Sequence, residues 1–186
     1  MTTLNSTETK GMSEAAGEDF EEDTFSRVNV LQKIGFKAND KLSFEFFGNY
    51  DRIKNTFDNS FDGIIANADD LNNNSFSEQF RIGFLPKYKY NKGEFVINSG
   101  ANVINRDIFS YGSLFQAKSR SVNVDAFNKY EISSQLFIVT GAQFQFHEMS
   151  NVSQYDAITT EMAKFNMIDP YVTAVYNSGF GLNLNA

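Results

Sequence analysis

The stretch FRIGFLPKYKYNKGEFVINSGANV, Phe80 to Val103, decides the fold. Phe80, Ile82, Phe84, Pro86, Tyr88 and Tyr90 fall on every second position, with Gln79, Arg81, Lys87 and Lys89 between them. A period of two belongs to a strand with one apolar and one polar face. Asn91-Lys92-Gly93 breaks the run with the size and composition of a hairpin turn, and Phe95, Ile97, Ala101 and Val103 resume the alternation. Each arm is longer than the usual strand of about 5–6 residues. Long two-faced strands joined by tight turns suit a membrane barrel better than a soluble sandwich.

The same texture extends to both sides. From Thr24 to Lys37, Val28, Val30, Ile34 and Phe36 share one register, with Gln32 the polar exception, and Arg27, Asn29, Lys33 and Lys37 the other. Ala38-Asn39-Asp40 makes a turn, after which Leu42, Phe44, Phe46 and Tyr50 alternate with Ser43, Glu45, Asn49 and Asp51. Towards the C-terminus Val122, Val124, Ala126 and Tyr130 oppose Asn123, Asp125 and Lys129, with Phe127 intruding on the polar register. Leu136, Ile138, Ala142, Phe144 and Phe146 oppose Gln143, Gln145 and His147. Tyr171 to Tyr176, a turn at Asn177-Ser178-Gly179, and Phe180, Leu182 and Leu184 begin a last hairpin. Residues 2 to 10 are too polar to assign beyond the end of a strand.

Between these strands lie polar segments: Gly11 to Asp23, Asn55 to Ser75, Phe109 to Ala117, and Glu148 to Met167. All four read as loops. Within the last, Ile158, Met162 and Phe165 are spaced for one face of a short helix. Short turns at Asn39, Lys92, Ser133 and Ser178 thus alternate strictly with long segments around Asp19, Asn59, Tyr111 and Ser153. Outer-membrane barrels show this alternation, with short turns facing the periplasm and long loops facing outward. Aromatics at strand ends fit interfacial girdles: Phe36, Tyr88, Tyr90, Tyr130 and Tyr176 near the turns, Phe25, Tyr50, Phe76 and Phe146 near the loops. The expected fold is all-β, an antiparallel up-and-down meander of about eight strands forming a partial transmembrane β-barrel.

Composition excludes several function classes. No run of about 18 apolar residues exists, so no spanning helix is expected. A mean hydropathy of -0.36 is compatible with strands that meet lipid only on alternate residues. The absence of Cys removes disulfide scaffolds and Cys-ligated zinc, and a net charge of -7 argues against nucleic acid as partner. Residues 2 to 20 have neither the basic nor the apolar region of an export signal.

The stretch GMSEAAGEDFEEDTFSRVNVLQKIGFKANDKLSFEFFGNYDRIKNTFD, residues 11–58, resembles the barrel of TonB-dependent outer-membrane receptors, particularly the cobalamin-receptor-like branch. The resemblance is carried by an acidic Gly-x-Ser-x-Ala loop (Gly11, Ser13, Ala15, Asp19, Glu22), a strand ending Gly35-Phe36-Lys37, the turn Asn39-Asp40, and a strand ending Tyr50-Asp51. It implies a 22-stranded barrel around a plug domain, with ligand held between plug and outer loops and energy delivered by the TonB system. Residues 1–186 would then be a slice of such a barrel, without plug or barrel closure, and the isolated polypeptide would not form a stable closed pore, because its flanking strands are unpaired edges. The implied partners are outer-membrane lipid, a transported nutrient such as cobalamin or a ferric siderophore, and TonB through the plug. The implied location is the cell outer membrane.

No covalent chemistry is expected. The acids Glu18, Asp19, Glu21, Glu22 and Asp23, and Asp58, Asp62, Asp69 and Asp70, offer oxygen ligands without a twelve-residue calcium-loop pattern, and read as solvated loops. His147 is the single His, on the polar register, and reads as a hydrogen-bonded residue of the barrel interior rather than a metal ligand or base. No Gly-x-Ser-x-Gly elbow frames a nucleophile. Asp51-Arg52 and Arg106-Asp107 read as loop-anchoring ion pairs, and Phe109, Tyr111, Phe115 and Tyr155 as loop or girdle aromatics. No catalytic, metal or cofactor residue is assigned, and no ligand contact. A passive channel or adhesin barrel, and a soluble β-sandwich binding module, are the alternative functions.

Overall fold

A computed structural model describes residues 1–11, 22–58, 72–110, 112–152, 163–178 and 183–185. The strands are β1 (Thr2–Lys10), β2 (Thr24–Lys37), β3 (Leu42–Thr56), β4 (Asn74–Tyr90) and β5 (Gly93–Ser110). They continue as β6 (Ser113–Glu131), β7 (Leu136–Val152), β8 (Ala163–Asn177) and the three-residue β9 (Asn183–Asn185). All join one sheet in chain order, each antiparallel to the next. The sheet is an open up-and-down meander, with β1 and β9 at its edges.

Because every neighbour in the sheet is a neighbour in the chain, even positions of β2, β3 and β4 share a face with odd positions of β5 and even positions of β6, β7 and β8. That face collects Ile34, Phe46, Phe84, Ile97, Val124, Phe144 and Val172. The opposite face collects Lys33, Glu45, Asn102, Asn123 and Gln143. Among the described residues only one apolar side chain, Val96, is buried, and apolar-face residues such as Phe36 (60% exposed), Val172 (69%) and Ile168 (70%) stand open. A sheet of this size with no second layer leaves its apolar face to be covered by something other than these residues.

The tight turns are built by side chains that replace strand hydrogen bonds. Asn39 Oδ1 accepts the N–H groups of Lys41 and Leu42, both at 2.9 Å, and Ser133 Oγ accepts those of Gln135 and Leu136 at 3.3 and 3.1 Å. At the β4–β5 turn the left-handed residue is Lys92, with φ 68°, rather than the adjacent Gly93. Pro86 sits in the interior of β4, where it lacks the N–H a ladder needs. The β4–β5 pairing is interrupted there: Phe84 pairs with Ser99 and Lys87 with Val96, and the two residues between them on each strand carry no ladder pair.

Several expectations are corrected. Residues 109–117 do not form a loop: β5 reaches Ser110, β6 begins at Ser113, and the two pair across a turn containing Gly112 at φ 71°. Short and long connections therefore do not alternate strictly, since this end also holds one tight hairpin. Residues 148–152 and 163–167 belong to β7 and β8, so Phe165 is strand and not helix; Ile158 and Met162 lie outside the described residues. Residues 2 to 10 form a full edge strand. In each case polar residues continue a paired strand, because hydrogen bonding to a neighbour, not apolar alternation, holds them extended.

Candidate functional site

The feature with functional content is a belt on the apolar face. On β2 it occupies 28–36, on β3 42–50, on β4 80–90, on β5 95–103, on β6 122–130, on β7 136–146 and on β8 168–176. Each span is nine to eleven residues, the length with which a tilted strand crosses a bilayer. The next residue of the same face is polar on every one of these strands: Ser26, Arg52, Glu78, Asn105, Arg120, Glu148 and Asn166. Inside the spans the same face carries four polar exceptions, Gln32, Ser99, Asn128 and Thr140, so the belt is predominantly apolar and its end is marked by a polar residue on all seven strands.

That boundary is slanted relative to the strand ladder. Tyr50, the last belt residue of β3, lies opposite Val30 rather than Val28; Val122 lies opposite Ala101 rather than Val103; Ile168 lies opposite Phe144 rather than Phe146. These three steps of two residues all run the same way, and the remaining strand pairs add none. The belt thus shifts by about one residue per strand, which at a rise of roughly 3.3 Å and a strand spacing of roughly 4.8 Å corresponds to a tilt of about 35°. Membrane barrels tilt their strands by about 35–45°. At that tilt the belt is roughly 22–27 Å tall, beside an apolar band of about 25 Å in such barrels.

Aromatic rings concentrate on this face. Phe36, Phe44, Phe84 and Phe46 form a chain of stacked rings with centroids 6.4, 5.9 and 4.5 Å apart, and Tyr88 stacks on Tyr90 at the short-turn edge. The girdle residues expected from sequence all lie on this face except Phe25, whose register places it on the polar one. Tyr50 donates to Glu78 at 2.7 Å at the upper edge of the belt.

The polar face is a lattice of cross-strand hydrogen bonds and ion pairs. Lys33 pairs with Glu45 at 2.7 Å, Gln79 donates to Asn102 at 2.9 Å, and Tyr171 donates to Asp125 at 2.8 Å. Two glycines make room for rings on this face. A Cβ at Gly83 would collide with the edge of the Phe47 ring, and one at Gly141 would lie 2.6 Å from the Tyr171 ring and 2.8 Å from Phe127 Cβ. At the short-turn end Leu85, Val96 and Phe127 wall a recess of about 770 Å³ with Lys37, Lys87 and Glu94 at its sides. Phe127, anomalous in the sequence pattern, is thereby explained: it packs into this wall beside Val96, its partner in the ladder.

The sequence-derived candidates are distributed rather than assembled. His147 stands on the polar face, 3.3 Å from Gln145 Oε1 and beside the Phe165 ring. Asp51 and Arg52, adjacent in the chain, point to opposite faces, so they do not pair. Asp51 is buried and instead takes a bidentate bond from Arg27 Nε and Nη2, at 2.9 and 2.5 Å. Arg27 and Asp51 lie just past the belt. Hydrogen bonding from Arg27 holds the Asp51 carboxyl below its ordinary range against the opposing effect of burial. Arg106 and Asp107 likewise part, Asp107 accepting from Gln116 at 3.1 Å. Phe109 and Phe115 extend β5 and β6 on opposite faces. Glu18, Asp19, Glu21, Asp62, Asp69, Asp70, Tyr111 and Tyr155 lie outside the described residues, and among the described ones no group of His, Cys, Asp or Glu is placed to hold a metal ion. Among the described residues no helix is long and apolar enough to cross a membrane. The class defined by these observations is an all-β, single-sheet antiparallel meander. No family model, curated protein or solved structure matches the chain.

Proposed function

We propose that this chain is a length of outer-membrane β-barrel wall, and that the barrel belongs to an energy-coupled receptor importing a scarce nutrient such as cobalamin or a ferric siderophore. The observation that carries the membrane reading is the belt: nine to eleven residues on seven successive strands, sliding by about one residue per strand. Lipid offers backbone groups no hydrogen-bond partner, so strands can cross it only inside a closed sheet. The open edges at β1 and β9 are therefore sites for further strands of the same barrel. The receptor reading rests on the resemblance of residues 11–58 and on the long polar segments 57–73 and 153–162 at one end of the meander.

The chain performs no covalent step in this reading. Its polar face lines the interior, where paired charges and amides form a wetted wall; its apolar face meets hydrocarbon. Fractionation tests the membrane part: after a wash at alkaline pH the chain stays with the membrane pellet, and its release into the wash would overturn the reading in favour of a soluble sandwich. Uptake tests the receptor part: disrupting the gene abolishes energy-dependent accumulation of labelled cobalamin or ferric siderophore. Unchanged accumulation of both, with loss of passive solute entry, would assign the wall to a diffusion channel.

A further inference from the structure

On the apolar face, immediately beyond the belt, Arg52 and Lys54 of β3 both lie over the ring of Phe76 on β4, at 5.3 and 5.6 Å from its centroid. Neither cation forms an ion pair among the described residues. The carboxylate opposite Arg52 in the ladder, Glu78, is engaged by the Tyr50 hydroxyl instead. Further along the same boundary Arg120 likewise faces a carboxylate in the ladder, Glu148, which lies 3.9 Å from Lys164. Two cations are thus held on one ring, with Glu78 the one carboxylate opposite them in the ladder.

The surroundings are those of an oxyanion site. Thr24, Thr56 and Asn74 complete a recess of about 510 Å³ around Arg52, Lys54 and Phe76. Thr24 Oγ1 and Thr56 Oγ1 are 3.2 Å apart, so one donates to the other and the second hydroxyl proton points elsewhere. Arg52 and Lys54 lie two and four residues past Tyr50, which at the tilt derived above is roughly 5–11 Å beyond the belt, the depth of the headgroup layer.

We propose that this recess binds the phosphate of an anionic membrane lipid, with Arg52 and Lys54 as its charge partners, the remaining threonine hydroxyl proton as a donor, and the acyl chains lying down the belt below. The proposal rests on the membrane reading above. Continuity of the recess with the belt favours a lipid over free phosphate, because the acyl chains gain the apolar face.

The test uses the complete barrel that contains this chain, reconstituted in phosphatidylcholine vesicles containing a minor fraction of phosphatidate, then transferred to detergent for native mass spectrometry. Phosphatidate is retained in preference to phosphatidylcholine, and R52Q/K54Q lowers that retention at least tenfold. K92Q/K129Q, with the same charge change at the short-turn end, leaves it intact, and millimolar inorganic phosphate does not displace the lipid. Equal retention by wild type and R52Q/K54Q, or displacement by inorganic phosphate, would overturn the proposal while leaving the membrane reading in place. Failure of that complete barrel to insert into any vesicle would overturn both.

Discussion

Along β3, Leu42, Phe44, Phe46 and Tyr50 and then Arg52 and Lys54 occupy the same face of the same strand, in unbroken pairing with β2 and β4. Nothing in the backbone distinguishes the two groups; only the side chains change. On the membrane reading proposed above, the boundary is set by what surrounds the sheet, since a soluble partner sheet would have no reason to end on one slanted line across seven strands. Strands of 17 to 19 residues, from β4 to β7, outrun the belt because the paired backbone continues past it. Beyond the boundary the sheet is held by its ladder and by cross-strand charge pairs. Within it, the apolar face is left uncovered by the described residues, and hydrocarbon is the cover proposed above.

The comparison is broken or sharpened by moving one chemistry into the other region. Ala142→Arg, in the belt's middle on β7, is expected to destabilise the inserted chain by about 2–4 kcal/mol, and Ser150→Arg, on the same face beyond the boundary, by about 0–1 kcal/mol. Denaturant titration of vesicle-inserted protein reads both, and equal costs would abolish the boundary. Two glycines inside the belt separate the faces. Gly141→Ala drives a methyl into Tyr171 and Phe127 and is expected to cost about 1–3 kcal/mol. Gly48→Ala, on the apolar face with nothing within 4 Å, stays within about 0.5 kcal/mol in the same titration.

Just past the belt, Asp51 is buried against Arg27. Its folded pKa lies below the unfolded value of about 3.9, so its contribution is fully present above that pH and is lost as pH falls through the folded value. Asp51→Asn should remove this acid limb from a stability–pH profile while lowering the plateau at neutral pH; an unchanged profile would show the Arg27 pair to be idle. A small effect of the opposite sign is expected at the short-turn end, where Lys92→Gly relieves a left-handed φ and is expected to stabilise by up to about 1 kcal/mol by the same titration.

Much of this architecture was legible beforehand. The hairpin from Phe80 to Val103, the turns at Asn39 and Ser133, and the faces assigned to Val28, Phe44, Tyr130 and His147 all follow from a period of two, which each strand carries within itself. Legibility failed where polar residues continue a strand, at 109–117 and 148–152, because the signal for extension there lies on the neighbouring strand. It failed again for partners: Asp51 was matched with its chain neighbour Arg52, whereas its cation is Arg27, twenty-four residues away. The phosphate recess escaped notice for the same reason, since Thr24, Lys54 and Phe76 come from three strands.

The amino-acid sequence by itself determined that the chain is β, that it meanders, and which side chains share a face, because alternation is a local consequence of the pleat. Only the tertiary structure decided where the belt ends on each strand relative to its neighbours, which rings fill the glycine gaps, and which charges meet. Those depend on register between strands, and register is a property of pairs that no single strand contains.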